Sequence, residues 1–253
     1  LARSERLVRL LAPGADQTEL HQVLVNAADT SGLDFLLVAS TDGRVLASST
    51  GVAPGQMLPE SFVVRQARIG VANAAYERFV AGELAAYSPH FAQQSRVPLP
   101  GGQDGPLGPG TDGGEVETRG LFINAAAPFA LSTDRPDAIL VGGVLLNRNL
   151  ALIEHMREVI FPLGTLPDGA EGMSALYIDE HRVAISRSRQ QGQGLVGSHS
   201  PPGAWQAVRQ HGQVWLGHAE QQGQSMRVGF EPLLDGNGQR VAMVSASFPD
   251  APY

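Results

Sequence analysis

The strongest constraint on this chain is a strand pattern near its end that is echoed earlier. Residues 212–248 read G-Q-V-W-L-G-H-A-E, then Q-S-M-R-V-G-F-E-P-L-L, D-G-N-G and Q-R-V-A-M-V-S-A-S-F. The first two segments are rich in β-formers and divide at Gln222-Gly223. Asp235-Gly236-Asn237-Gly238 then marks a tight hairpin, because Gly and Asn tolerate positive φ. The segment is therefore an antiparallel three-stranded meander. Ahead of it, Ser200-Pro201-Pro202 marks a helix start, where proline's missing N–H costs little. That helix carries Trp205 and Val208.

An earlier part of the chain follows the same plan. Residues 125–146, A-A-A-P-F-A-L-S-T-D-R-P-D-A-I-L-V-G-G-V-L-L, place a proline late in a strand, then a polar turn, then an apolar strand of small residues. G-F-E-P-L-L-D-G-N-G-Q-R-V-A-M-V-S-A-S-F does the same. The openings match as well. Leu33 to Ala39 is an apolar strand that turns at Thr41-Asp42-Gly43-Arg44 into Val45-Leu46-Ala47. Ser174 to Ile178 turns at Asp179-Glu180-His181-Arg182 into Val183-Ala184-Ile185. The pattern predicts two versions of one α/β unit, related by divergent duplication.

Between these landmarks the periodicities predict further elements. Leu7, Leu10 and Leu11 share a helical face. After Pro13-Gly14, Asp16 and Glu19 form a capping-box-like start for a helix with Leu20, Val23, Leu24 and Ala27 on one side. Two such helices ahead of a sheet are packing scaffold or a dimer seam. Ser61 to Ile69 reads as a short helix with Phe62, Val63 and Ala67 inward. Ala74 to Val80 fits strand or helix equally. Gly82 to Gln94 reads as helical, broken at Ser88-Pro89. Residues 97–115 concentrate glycine and proline, and the expectation is an exposed, mobile loop without a core. Val116 to Phe129 and Asp137 to Leu146 read as strands, and Asn147 to Ile160 as a helix. The expected division is an N-terminal helical segment at 1–32, a first module at 33–160 and a second at 161–253.

Composition excludes some chemistry. The chain has 253 residues and a net charge of −7, which weighs against a nucleic-acid partner; every basic residue is arginine, which codon bias accounts for. It has no cysteine, hence no disulfide, thiolate metal site or cysteine nucleophile. The seven histidines form no H-x-x-x-H or H-E-x-x-H pair, so no metal site is expected. There is no G-x-S-x-G elbow, and the glycine-rich residues 101–114 lack the G-K-[ST] of a phosphate loop. No apolar run reaches the roughly 18 residues needed to span a bilayer. The chain opens at Leu1 inside a helical pattern, and the expectation is a piece of a longer protein.

Several segments resemble the double Cache domain, the ligand-sensing ectodomain of bacterial receptors. V-E-T-R-G at 116–120, A-A-A-P, and V-G-G-V-L-L-N-R-N at 141–149 are similar to the end of its membrane-distal module. G-S-H-S-P-P at 197–202, G-Q-V-W-L-G-H-A at 212–219, F-E-P-L-L-D at 230–235 and F-P-D-A-P-Y at 248–253 are similar to the membrane-proximal module. The sequence departs from the family at M-V-S-A-S-F, where relatives often carry an aromatic residue and glycines. The resemblance implies an α+β fold of two tandem PAS-like (Cache) modules with antiparallel sheets, preceded by an N-terminal helix. It implies a periplasmic domain of an inner-membrane receptor, held by flanking helices outside this sequence. The output module would be a histidine kinase, a chemoreceptor or a cyclic-dinucleotide enzyme, with no enzyme activity and no cofactor in this part. A homodimer through the N-terminal helices is expected.

A PAS-like sheet offers one face to a small ligand, with a few polar groups on an apolar floor. In the first module the candidate ligand residues are Arg65, Arg68, Tyr76, Arg78, Tyr87, Phe122 and Asn124, with His90, Phe35 and Phe129 behind them. Arginine grips a carboxylate through paired hydrogen bonds, which points to an organic acid or similar metabolite. Each of these arginines also has a plain reading as a solvated helix residue, and each phenylalanine as core. Asn124 is the unusual placement, since a buried amide needs partners. Relatives that grip amino acids pair arginine and tryptophan with tyrosine and aspartate in the distal module, and here both tryptophans, Trp205 and Trp215, lie in the second. Candidates there are Tyr177, Arg187, Trp215, His218, Arg227 and Phe230. The rival readings are a structural or protein-interaction module without a small ligand, and a cytosolic PAS or GAF regulatory domain.

Overall fold

A computed structural model describes residues 5–12, 16–99, 115–130, 137–167, 170–186, 196–221 and 223–250. By contacts the chain separates into two compact units. The first gathers Leu1–Gln94, Arg119–Leu145 and Asp235–Gly238; the second gathers Ser95–Thr118, Leu146–Leu234 and Gln239–Tyr253.

In the first unit, α1 (Glu5–Leu10) and α2 (Gln17–Thr30) precede β1 (Phe35–Ser40) and β2 (Val45–Ser48). Then come α3 (Phe62–Arg68), β3 (Asn73–Phe79), α4 (Ala81–Leu84) and α5 (Phe91–Gln94). A two-residue ribbon, β4 (Val97–Pro98) with β5 (Val116–Glu117), follows and is grouped with the second unit. The first sheet closes with β6 (Gly120–Phe129) and β7 (Ala138–Leu145). The second unit continues with α6 (Leu150–Ile160), β8 (Met173–Ile178), β9 (His181–Ile185) and α7 (Pro202–Trp205), which widens into a π-helix over Gln206–Gln210. It ends with the meander β10 (Trp215–Gln221), β11 (Gln224–Leu234) and β12 (Arg240–Pro249).

Both sheets have five strands, all neighbours antiparallel. Their orders are β2-β1-β7-β6-β3 and β9-β8-β12-β11-β10. In each unit the opening hairpin sits at one edge, the last strand lies beside the first, and the third strand forms the far edge. The repeat read from sequence is thus a repeat of topology. The meander turn closes as expected. Gly238 N–H donates to the Asp235 carbonyl at 3.0 Å, Asn237 N–H donates to Asp235 Oδ1 at 2.8 Å, and Gly238 takes φ +78°.

Strand alternation splits the first sheet into two buried faces. Phe35, Leu37, Ala39, Phe122, Ala126, Ile139 and Val141 point to a core under α3, with Val63, Val64, Ala67, Leu84, Tyr87 and Phe91. Leu36, Val38, Phe129 and Ala138 point to the other side, against Leu7, Leu10, Leu20, Leu24 and Ala28 of α1 and α2. The N-terminal helices therefore spend their apolar stripe on the chain's own sheet. Asp16 Oδ1 caps α2 by accepting from Thr18 N–H at 2.8 Å.

The open choice for Ala74 to Val80 falls to strand: β3 runs Asn73–Phe79, decided by pairing with β6 from Asn73↔Ala126 to Phe79↔Gly120, and Val80 caps α4. Two expectations need correction. The single broken helix over 82–94 is two four-residue helices, α4 and α5, separated by Ala85 to His90. The exposed loop expected from 97 begins instead with buried residues: Val97 is fully buried and Leu99 nearly so, because β4 pairs with β5. The remainder of that loop, 100–114, and the breaks at Pro13-Gly14 and Gln222 lie outside the described residues.

Candidate functional site

The face of the first sheet that lies under α3 carries a small group of buried polar atoms. Its centre is Glu77, in the middle of β3 between Ala75 and Phe79, which share its face. Glu77 Oε1 accepts from Val63 N–H in the first turn of α3 at 3.2 Å, and Oε2 accepts from Asn124 Nδ2 at 2.9 Å. Ser61 caps the same helix by accepting from Val64 N–H at 3.3 Å. Register explains the pairing: Asn124 lies opposite Ala75 on β6, two residue pairs from Glu77↔Phe122, so both polar side chains rise from the same face.

Two buried oxygens of this face lack partners among the described residues. Asn124 is fully buried, and its Oδ1 has no hydrogen-bond partner among the described residues. The hydroxyl of Tyr87, also fully buried, has none either. Burial raises the Glu77 carboxyl above its ordinary range, partly offset by the bonds from Asn124 and Val63. Burial, then the Glu77 carboxylate, pushes the Tyr87 phenol well above its ordinary range. Around them Phe35, Phe79, Tyr87, Phe91 and Phe122 form an aromatic cluster with ring centroids 4.9–6.4 Å apart.

The residues expected to line one pocket divide. Tyr87, Phe122 and Asn124 do meet on this face. Tyr76 and Arg78 alternate with Glu77 along β3 and so belong to the opposite face; a group joining them to Phe122 and Asn124 does not form. Arg65 is exposed on α3, and its Nη2 donates to Asn237 Oδ1 at 3.1 Å. Arg68 is half-buried, with Nη1 3.0 Å from Glu60 Oε2 and Nη2 close against Gly43. His90 is exposed, and Phe129 packs on the α1–α2 side. The sequence reading missed Glu77. The signal was present: if 74–80 is a strand, period two puts an acidic residue between Ala75 and Phe79.

In the second unit, Tyr177, Trp215 and Phe230 pack together, Trp215 and Phe230 edge to face at 5.8 Å and Tyr177 and Phe230 at 5.2 Å. His218 and Arg227 stand on the other face of the meander around Asp250, at 3.4 and 2.7 Å. Arg187 lies outside the described residues. Among the described residues no three His, Cys, Asp or Glu side chains are placed to hold a metal ion. No helix among them is long and apolar enough to cross a membrane.

Residues 144–253 match the family model of single Cache domain 3. Over these residues, less than half of its length, the chain is similar to a Cache domain. The first unit repeats the strand order of the second, so the chain carries two modules of like antiparallel sheet, consistent with a double Cache sensor domain. Cache domains are non-catalytic, ligand-binding sensor modules of signal-transduction receptors. No curated protein matches the chain. Among solved structures, it is similar to the sensor domain of the Vibrio cholerae histidine kinase DctB. That likeness has 10% identity and a TM-score of 0.47, covering 98% of this chain and 86% of that one. The periplasmic domain of Vibrio cholerae LuxQ is similar at 14% identity and a TM-score of 0.48, covering 97% and 86%. The ligand-binding domain of the Pseudomonas aeruginosa amino acid chemoreceptor PctB, in complex with L-Gln, is similar at 14% identity and a TM-score of 0.37, covering 98% and 80%.

Proposed function

We propose that this Cache pair is the extracytoplasmic sensing domain of a bacterial transmembrane receptor of histidine kinase or chemotaxis type, and that its first unit holds the ligand beneath α3. Residues 33–160 would form the membrane-distal module and 161–253 the proximal one, with the inner membrane reached through flanking helices. The ligand we infer there is a small hydrogen-bond donor, an amine or amide, in place of the carboxylate that the arginines suggested. One observation carries this: the buried polar atoms under α3 are a carboxylate and two unpartnered oxygens, Asn124 Oδ1 and Tyr87 Oη. A carboxylate guest would add a like charge beside Glu77, whereas an N–H donor would satisfy an acceptor that otherwise costs stability. Glu77 also grips the first turn of α3, so a guest competing for its oxygens would loosen or re-seat that helix. The same sheet carries α1 and α2 on its opposite face, which offers a route from ligand to helix.

The test is a thermal-shift screen of primary amines, amides and organic acids against the wild type and Glu77→Gln. Amines or amides should raise the melting temperature of the wild type, and Glu77→Gln should abolish the response. A response to organic acids alone would overturn the assignment of ligand class. The close packing of the five aromatic rings favours one competing reading, a structural module with no guest, and that reading expects no response to any of the three classes.

A further inference from the structure

The second unit brings two imidazoles and a buried carboxylate together, away from the candidate site. His181 opens β9, and the segment 197–200 runs antiparallel beside it: Gly197 N–H donates to the Arg182 carbonyl, Arg182 N–H to the Ser198 carbonyl, and Ser200 N–H to the Glu180 carbonyl, at 2.8, 2.9 and 2.8 Å. His181 and His199 meet across this pairing, their rings edge to face with centroids 5.0 Å apart. The β4–β5 ribbon closes on the same spot. A Cβ at Gly197, where φ is +90°, would stand 2.2 Å from the Pro98 carbonyl oxygen, so only glycine lets the segment lie that close to β4. From β5, Glu117 brings Oε2 to 3.7 Å from His181 Nδ1.

The three side chains differ in their access to water. Glu117 is 4% exposed and His181 17%, whereas His199 is open to solvent. His181 Nδ1 is buried with no hydrogen-bond partner among the described residues, and 3.7 Å is too long for Glu117 to serve as one. The three are not placed to hold a metal ion. A proton is the cation that suits them, because imidazole gains charge between about pH 5 and 8. Once protonated, His181 is a cation with both ring nitrogens as donors, facing a carboxylate that a small movement brings into bonding range. A buried carboxylate gains most from a cation beside it. Other charges nearby are already engaged. Arg182 donates Nε to Tyr177 Oη at 2.8 Å. On α6, which also packs against β9, Glu154 and Arg157 are bonded to each other at 2.9 Å, and His155 and Glu158 are exposed. Glu117 engages further groups as well, so its position does not rest on His181 alone.

We infer that His181 is a proton-binding site through which the second unit responds to pH. Protonated, it clasps the β4–β5 ribbon to β9 through Glu117; neutral, it releases that hold. The imidazolium meets Glu117 only in the folded chain, so the clasp is complete at the acid end of the histidine range and is lost as pH rises through it. Acidity is then an input of its own to this sensor module. This goes beyond the reading of the first unit and uses none of its residues.

The test is amide hydrogen exchange on the full chain at about pH 5.5 and about pH 8, either side of the histidine range, read as protection factors so that the intrinsic pH dependence of exchange cancels. The amides that report are Leu99 N–H, bonded to the Glu115 carbonyl at 2.9 Å within the ribbon, and Gly197 and Arg182 N–H beside it. Their protection should be roughly 3- to 10-fold greater at the lower pH, the worth of one hydrogen bond. Glu117→Gln, which keeps the shape of the side chain, and His181→Asn should each abolish that difference. His218→Gln, which removes the exposed pair with Asp250, should leave it intact. If one clasp variant fails to fold, the other carries the test. Wild-type protection that is equal at the two pH values or greater at the higher one, or a difference that survives in a folded clasp variant or disappears in His218→Gln, would overturn the site.

Discussion

Gly143 on β7 is the position where the proposed first-unit site can be challenged most sharply. It lies directly opposite both Asn124 and Phe35 in the sheet. A Cβ there would stand 2.1 Å from Asn124 Oδ1, 2.9 Å from the Ile123 carbonyl oxygen and 2.9 Å from Phe35 Cε1. All three are inside normal contact, and the carbonyl is fixed by the β6–β7 ladder. Overpacking of this kind costs about 1–3 kcal/mol. Asn124 can escape only by swinging away from Glu77, which strips a buried carboxylate of a donor and costs about another 1–3 kcal/mol. Gly143→Ala should therefore destabilise the first unit by about 2–6 kcal/mol, centred near 4. At about 2–4 °C per kcal/mol for a chain of this size, the melting transition falls by roughly 8–16 °C. Calorimetry on wild type, Gly143→Ala, Asn124→Ala and the double variant separates the terms. The double variant should lose the Oδ1 clash and keep the clash with the carbonyl, so the two changes should be less than additive. A Gly143→Ala protein within about 1 kcal/mol of wild type, or strictly additive changes, would refute a tightly held Glu77–Asn124 pair.

Two further predictions concern the same face. Because Glu77 has a raised native pKa, the native state binds its proton more readily than the unfolded chain does. The penalty is absent below the ordinary carboxylate range, and stability falls as pH rises from there through the raised native value. Urea midpoints for wild type and Glu77→Gln from pH 4 to 8 should diverge across that window, with wild type losing relative stability as pH rises; a pH-independent difference would remove Glu77 as the cause. Tyr87→Phe deletes a buried hydroxyl that has no partner among the described residues, so it should leave the melting temperature unchanged or raise it. A loss above about 1 kcal/mol would mean that the hydroxyl is satisfied in solution.

Much of this architecture can be read without coordinates, because its signals are local. Period-two apolar runs, the Asp235–Gly238 turn and the Asp16 and Ser61 caps each act within a few residues, and duplication makes each half a check on the other. The functional face was less legible. Tyr76 and Arg78 look like pocket residues until β3 is known to pair with β6, and one residue of register moves a side chain to the opposite face. His181 reads as a turn residue beside Asp179 and Glu180, yet β5 and the 197–200 segment close around it. Glu77 acquires meaning only through a partner 47 residues away. Strands, turns and the doubling of the unit follow from short-range propensity and were set by sequence alone. Which oxygens and nitrogens are buried, and which of those are left unsatisfied, depends on long-range pairing across the sheets, and only the tertiary structure decided it.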